Sequence, residues 1–110
     1  MSAIVSPSTS TKWADFLISA VRFNAGGTHL DFFHVHPDNV TSVGPATINS
    51  RADVVAAIRR GLTFVTIVKG ADGKWRRGQP VYVKPFKGSE YLETVENKTA
   101  VDNLDNLPRF

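Results

Sequence analysis

From Trp13 to Phe23 the chain reads Trp-Ala-Asp-Phe-Leu-Ile-Ser-Ala-Val-Arg-Phe, dense in aromatic and β-branched residues and without a helix start signal. Leu17, Val21 and Phe23 share one parity, while Phe16, Ile18 and Ala20 share the other. A strand apolar on both faces is usually a central one. Asn24-Ala-Gly-Gly27 supplies residues that tolerate positive φ and predicts a hairpin connection. His29 to His36 then returns as a second strand, ended by Pro37-Asp38-Asn39. Residues 37–49 read as a loop, with at most a short extended piece at Ala46–Ile48.

One helix is expected, over about residues 51–60. Ser50 is a good N-cap, because its hydroxyl accepts from the free amides of the first turn. Asp53 occupies the capping-box position, although it is shorter than the preferred Glu. Val54, Ile58 and Leu62 fall four apart, with Val55 and Ala57 on a neighbouring flank. Gly61 is the left-handed terminator, and Arg59 and Arg60 in the last turn suit the negative end of the helix dipole.

After the helix the pattern returns to strands. Thr63–Val68 is a strand by composition, and Gly70-Ala-Asp-Gly73 is a turn. Lys74–Arg77 is a basic stretch closed by Gly78. Pro80–Phe86 reads as an edge strand, since Pro85 removes one ladder donor. Gly88-Ser89 turns the chain into a last strand, Glu90–Glu96. Val101, Leu104, Leu107 and Phe110 recur at three-residue spacing, which predicts a tail, 97–110, packed onto the body. Residues 1–12, rich in Ser and Thr, read as a flexible lead. The expectation is a single α+β domain over 13–110, with element order β-β-α-β-β-β. Its sheet would be mainly antiparallel, with the helix packed on one face.

Composition narrows the class more than the function. At 42% hydrophobic and 21% charged, the 110 residues have the balance of an ordinary globular protein. A chain of this length buries roughly two-thirds of its unfolded surface and needs no metal or disulfide to fold. The absence of cysteine excludes a disulfide framework, a cysteine nucleophile and a cysteine-ligated metal. No apolar run approaches a membrane span, and Met1–Lys12 lacks the basic start and apolar stretch of a secretory signal. The expected location is cytoplasmic.

The net charge of +3 is unevenly distributed. Residues 51–87 carry nine bases against Asp53 and Asp72, a net of +7, while 1–50 and 88–110 carry −1 and −3. Within that third, Lys74-Trp-Arg-Arg77 with Tyr82, Lys84, Phe86 and Lys87 interleaves cations and aromatic rings. On nucleic acid, such cations meet phosphates and exposed rings stack on unpaired bases. Against a protein, the same cations meet acidic groups and Trp75 is the anchor. Lys74, Arg76, Tyr82, Lys84 and Phe86 share parity if Gly78-Gln79-Pro80 does not break the register. The structural alternative is that the rings belong to the core and the cations guard sheet edges.

Other chemistry is sparse. His34 and His36 lie two apart on a strand and point to one side, but a zinc site needs a third ligand and none is placed beside them. Ser10, Ser19, Ser42, Ser50 and Ser89 lack a nucleophile-elbow setting. Glu93 and Glu96 fall on opposite strand faces, and the glycines match no phosphate-binding pattern. No catalytic residue, metal or cofactor is expected.

Four stretches together resemble a family of small, mostly bacterial domains of unknown function. They are Ala14–Phe23 with Gly26-Gly27; Gly44-Pro45 leading to Ser50–Val55; Gly73-Lys-Trp75 with Gly78–Val83; and Tyr91-Leu92 with Asp102–Pro108. The closing stretch of that family often has Gly where this chain has Asp105, a residue that also tolerates the left-handed region. The resemblance implies a compact module with a recurrent C-terminal tail and supplies no activity. The reading is a non-enzymatic binding module acting on a protein partner, as an adaptor or inhibitor such as a mobile element would carry. Its expected surface is Arg59, Arg60, Lys74, Trp75, Arg76, Arg77, Tyr82, Lys84 and Lys87. The alternative is nucleic-acid binding through the same residues.

Overall fold

A computed structural model describes residues 13–27, 29–40, 42–94 and 104–110, without the side chains of Phe86 and Asp105. The expected lead, 1–12, and the first part of the expected tail lie outside the described residues. Six strands and one helix follow in the order β1 (Phe16–Phe23), β2 (Leu30–Pro37), β3 (Thr47–Ser50), α1 (Arg51–Arg59), β4 (Phe64–Lys69), β5 (Trp75–Phe86) and β6 (Ser89–Thr94). A short 3-10 turn follows at Leu104–Asn106. The strands form one sheet ordered β3-β2-β1-β4-β5-β6.

This corrects the expected fold in two respects. The element order is β-β-β-α-β-β-β, and the molecule is predominantly a mixed sheet rather than an α+β domain built on a mainly antiparallel one. The missed strand, β3, pairs antiparallel with β2 from Phe32↔Ser50 to Val35↔Thr47. Its four residues, Thr-Ile-Asn-Ser, are too few and too polar to show an alternation. The chain then crosses through α1 and enters β4 on the far side of β1, parallel to it. Hairpin logic cannot anticipate that pairing, because parallel neighbours require a crossover.

Side chains at the strand starts lock the parallel register. Asp15 Oδ2 accepts from Thr63 N at 2.8 Å and from Thr63 Oγ1 at 3.1 Å, while Asp15 N donates back to Thr63 Oγ1 at 3.0 Å. Phe16 N also donates to Thr63 O at 3.1 Å. β4 stays beside β1 only as far as Ile18↔Thr66. Farther along, the C-terminal residues take its place: Val21 N donates to Pro108 O at 2.9 Å, and Phe110 N to Val21 O at 3.2 Å.

The helix forms for local reasons. Asp53 N donates to Ser50 Oγ at 3.1 Å and Ser50 N donates to Asp53 Oδ2 at 3.3 Å, a complete capping box. At the other end Gly61 takes φ +95°, with Gly61 N donating to Ile58 O and Leu62 N to Ala57 O. That pair of bonds is the Schellman termination.

Two apolar clusters lie on opposite faces of the sheet. The larger joins Val54, Val55 and Ala57 of α1 to Ile18, Val21, Phe33, Val35, Phe64, Val81 and Leu92, closed by Leu104 and Leu107. Phe33 alone, fully buried, contributes roughly 2–3 kcal/mol by apolar burial. The smaller cluster joins Ala14, Leu17, Val65 and Ile67 on the helix-free face, with Val43 and Trp75 against it.

Candidate functional site

The helix-free face gathers most of the chemistry, and a bulge in β5 decides which residues reach it. Ile67 pairs with Arg77 and Val65 with Pro80, so β5 carries one more residue than β4 across this step. The displaced Gln79 N donates to the buried Thr66 Oγ1 at 2.9 Å, satisfying the donor that the bulge removes from the ladder. An extra residue inverts side-chain parity. Trp75 and Arg77 before the bulge therefore stand on the same face as Tyr82 and Lys84 after it. The expected sharing of one face by Lys74, Arg76, Tyr82 and Lys84 therefore fails at Arg76, which pairs with Val68, whose side chain packs on the helix side. The side chain of Phe86 lies outside the described residues.

β5 is also one continuous strand, which joins the expected basic stretch to the expected edge strand. Its first half pairs with β4 and its second half, which contains Pro85, pairs with β6.

A hollow of about 410 Å³ opens on this face, lined by Trp13, Leu17, Asp38, Val40, Ser42, Val43, Gly73, Lys74 and Trp75. Trp13 and Trp75 are the chain's two tryptophans. Trp75 is half-buried, and the ammonium of Lys69, its cross-strand partner, lies 4.9 Å from its ring centroid. The Asp38 carboxylate is buried and accepts from the backbone N–H groups of Trp13, Ala14 and Val40, at 2.7, 3.4 and 2.8 Å. It builds the wall of the hollow instead of offering a charge to a ligand. Val40, in that same wall, has φ +73°, a strained conformation for a β-branched residue.

The expected surface residues divide. Lys74, Trp75 and Arg77 cluster at the hollow and beside it, and no carboxylate among the described residues forms an ion pair with Lys74 or Arg77. Tyr82 and Lys84 share the face but both engage Glu93, Tyr82 Oη donating to Oε1 at 3.3 Å and Lys84 Nζ to Oε2 at 3.2 Å. Arg76 pairs with Asp72 at 3.0 Å. The backbone N–H of Lys74, with Arg76 behind it, holds the Asp72 carboxyl below its ordinary pKa. Arg59 pairs with Glu90. Arg60 lines a separate groove of about 520 Å³ between α1 and the β2–β3 side of the sheet. Lys87 sits in the β5–β6 turn at φ +49°. The nine residues therefore do not form one surface. Lys69, Trp13 and Asp38 belong to the site and escaped the sequence reading, although Lys69 opposite Trp75 across an Asp-Gly turn was a usable signal.

Next to Trp75, histidine chemistry occupies the same face. The imidazole of His36 is buried, with its ring centroid 5.9 Å from the Trp75 ring. His36 Nδ1 lies 2.9 Å from Gly44 O, and its Nε2 lies 2.6 Å from Ser19 Oγ. A carbonyl only accepts, so Nδ1 carries a proton, and in the neutral form of the ring Nε2 accepts from the Ser19 hydroxyl. His34, on the same side of β2, stacks on Phe110 at 3.8 Å, and the Arg22 guanidinium lies 4.8 Å from the Phe110 ring. Burial, with the charges of His36 and Arg22 behind it, holds the His34 pKa below its ordinary value. Among the described residues no group of three His, Cys, Asp or Glu converges as a metal site would require.

No described helix is long and apolar enough to cross a membrane. No curated protein matches the chain, and no solved structure does. Residues 18–108, from within β1 to the C-terminal strap that hydrogen-bonds to its Val21, match DUF3892, described as a protein of unknown function, and the chain belongs to that family.

Proposed function

We propose that the protein is a cytoplasmic binding module, an adaptor or inhibitor, that takes an acidic segment of a partner protein on the helix-free face of its sheet. The observation that carries this reading is the hollow between Trp13 and Trp75 with Lys69, Lys74 and Arg77 around it. An apolar side chain of the partner enters the hollow, where two indoles supply contact area at low entropic cost. Carboxylates flanking that side chain meet Lys74 and Arg77, which have no competing ion pair among the described residues. A nucleic-acid partner would use the same cations. Lys69 over the Trp75 ring, which also packs against the Leu17–Ile67 cluster, favours an inserted side chain over a stacked base.

Both tryptophans line the hollow, so intrinsic fluorescence reports its occupancy directly. Peptides selected from a displayed random library against the wild type should be acidic with one large apolar residue. Their binding should shift tryptophan emission and be lost in a folded Lys74→Glu/Arg77→Glu variant. Selection of no such peptide, together with oligonucleotide binding that weakens log-linearly with salt, would replace this reading with the nucleic-acid one.

A further inference from the structure

We infer that Ser19 is a base-activated nucleophile, with His36 as its general base and the Gly44 carbonyl orienting that base, able to accept an acyl group from a small ester. This goes beyond peptide binding, since the hollow can hold a partner whether or not Ser19 reacts.

Three observations carry it. Ser19 is the extra residue of a bulge: Ile18 pairs with Val35 and Ala20 with His34, which leaves Ser19 without a partner in β2. Bulges re-aim side chains, and here the hydroxyl is brought to 2.6 Å from His36 Nε2. The imidazole is then held at its other nitrogen by Gly44 O at 2.9 Å, in the tautomer that leaves Nε2 free to take a proton. Finally, the loop geometry that presents this carbonyl depends on glycine. A Cβ on residue 44 would stand 2.5 Å from Pro37 Cγ, while Gly44 N donates to Pro37 O at 3.0 Å. Nucleophile, base and orienting acceptor thus come from β1, β2 and the loop after β2, on the face that also carries the Trp75 hollow.

The reaction balances with water as the only co-reactant. As Ser19 Oγ bonds to the ester carbonyl carbon, its proton passes to His36 Nε2. Collapse of the tetrahedral intermediate breaks the bond between acyl carbon and alkoxy oxygen, and the departing oxygen takes the proton from Nε2. Water then gives a proton to Nε2 and its oxygen to the acyl carbon, and Ser19 leaves with that proton. The sum is ester plus water giving acid plus alcohol. A carbonyl in place of a carboxylate fixes the tautomer but stabilises the imidazolium less, so turnover should be slow and acylation the clearer signal.

The test is active-site labelling of the whole protein with a fluorophosphonate, followed by peptide mass mapping, and the pre-steady-state release of p-nitrophenol from p-nitrophenyl acetate. The expected result is an adduct on Ser19 in the native protein, formed at least about 10²-fold faster than in the urea-unfolded chain, the low end of general-base assistance. Ser19→Ala should abolish both adduct and burst, and His36→Gln should lower the labelling rate while a folded circular dichroism spectrum is kept. Labelling of native Ser19 no faster than in the unfolded chain, or only at other residues, overturns the inference, and that comparison needs no variant. Peptide binding measured by tryptophan emission would be unaffected by its failure.

Discussion

The Asp38 carboxylate accepts from the backbone N–H of Trp13 at 2.7 Å, tying residues 25 apart in sequence and holding one wall of the hollow against the end of β2. The same carboxylate serves Ala14 N and Val40 N. Asp38→Ala leaves three backbone donors to find new partners in a largely buried setting. We expect a loss of about 2–3 kcal/mol in urea unfolding, with a red shift of tryptophan emission as Trp13 is released. A midpoint equal to that of the wild type would show that water replaces the carboxylate without penalty.

Val40 holds φ +73° on a side chain that is 38% exposed, so the conformation is enforced without much burial in return. Asn accepts this region more readily. Val40→Asn should raise stability by about 1 kcal/mol, the low end of the cost of such strain. Chemical denaturation checks it, and a destabilised variant would mean that Val40 contributes packing in the hollow that outweighs its backbone strain.

Phe110 meets His34 and Arg22 with its ring while its backbone pairs with Val21 and its carbonyl accepts from Arg22 Nε at 2.9 Å. Phe110→Ala keeps the backbone bonds and removes the stack, and should cost about 1–2 kcal/mol. Amide exchange should quicken at Val21 more than at Ile18, because only the Val21 segment of β1 depends on the strap. Equal protection in variant and wild type would sink this account.

The lowered pKa of His34 gives stability a sign. Burial, then the charges of His36 and Arg22, disfavour its protonation in the fold. Between the folded and unfolded values the unfolded chain binds more protons, so stability rises with pH. The contribution is complete above the unfolded value of about 6.5 and is lost as pH falls through the lower, folded one. Unfolding midpoints should therefore drop on acidification below neutrality, with a shallower drop in His34→Gln. An identical pH slope in both proteins would place the effect on another group.

Much of the local structure was legible in the residues themselves. The capping box of Ser50 and Asp53 and the Gly61 termination act within one turn of chain, and they stand in the structure as the sequence implies. The β1–β2 hairpin and the turn at Asp72-Gly73 are likewise set by short-range φ preferences. The site was legible only in part. Lys74, Trp75 and Arg77 were recognised as residue types, but their company was not.

That company is a property of the tertiary structure. A strand's alternation states which side chains share its faces and leaves open which strand comes next to it. The parallel pairing of β1 with β4, and the strap at Val21, join segments separated by a crossover or by most of the chain. A single extra residue at Gly78-Gln79 then inverts parity, so the face on which Lys84 stands is decided by pairing with β4. Ion pairs sort the remaining cations: Glu90 takes Arg59, Asp72 takes Arg76, and Glu93 takes Lys84. Composition and periodicity determine local backbone state and the stock of charges. Long-range strand pairing determines which charges meet a partner, because opposite groups brought within hydrogen-bond reach satisfy one another first.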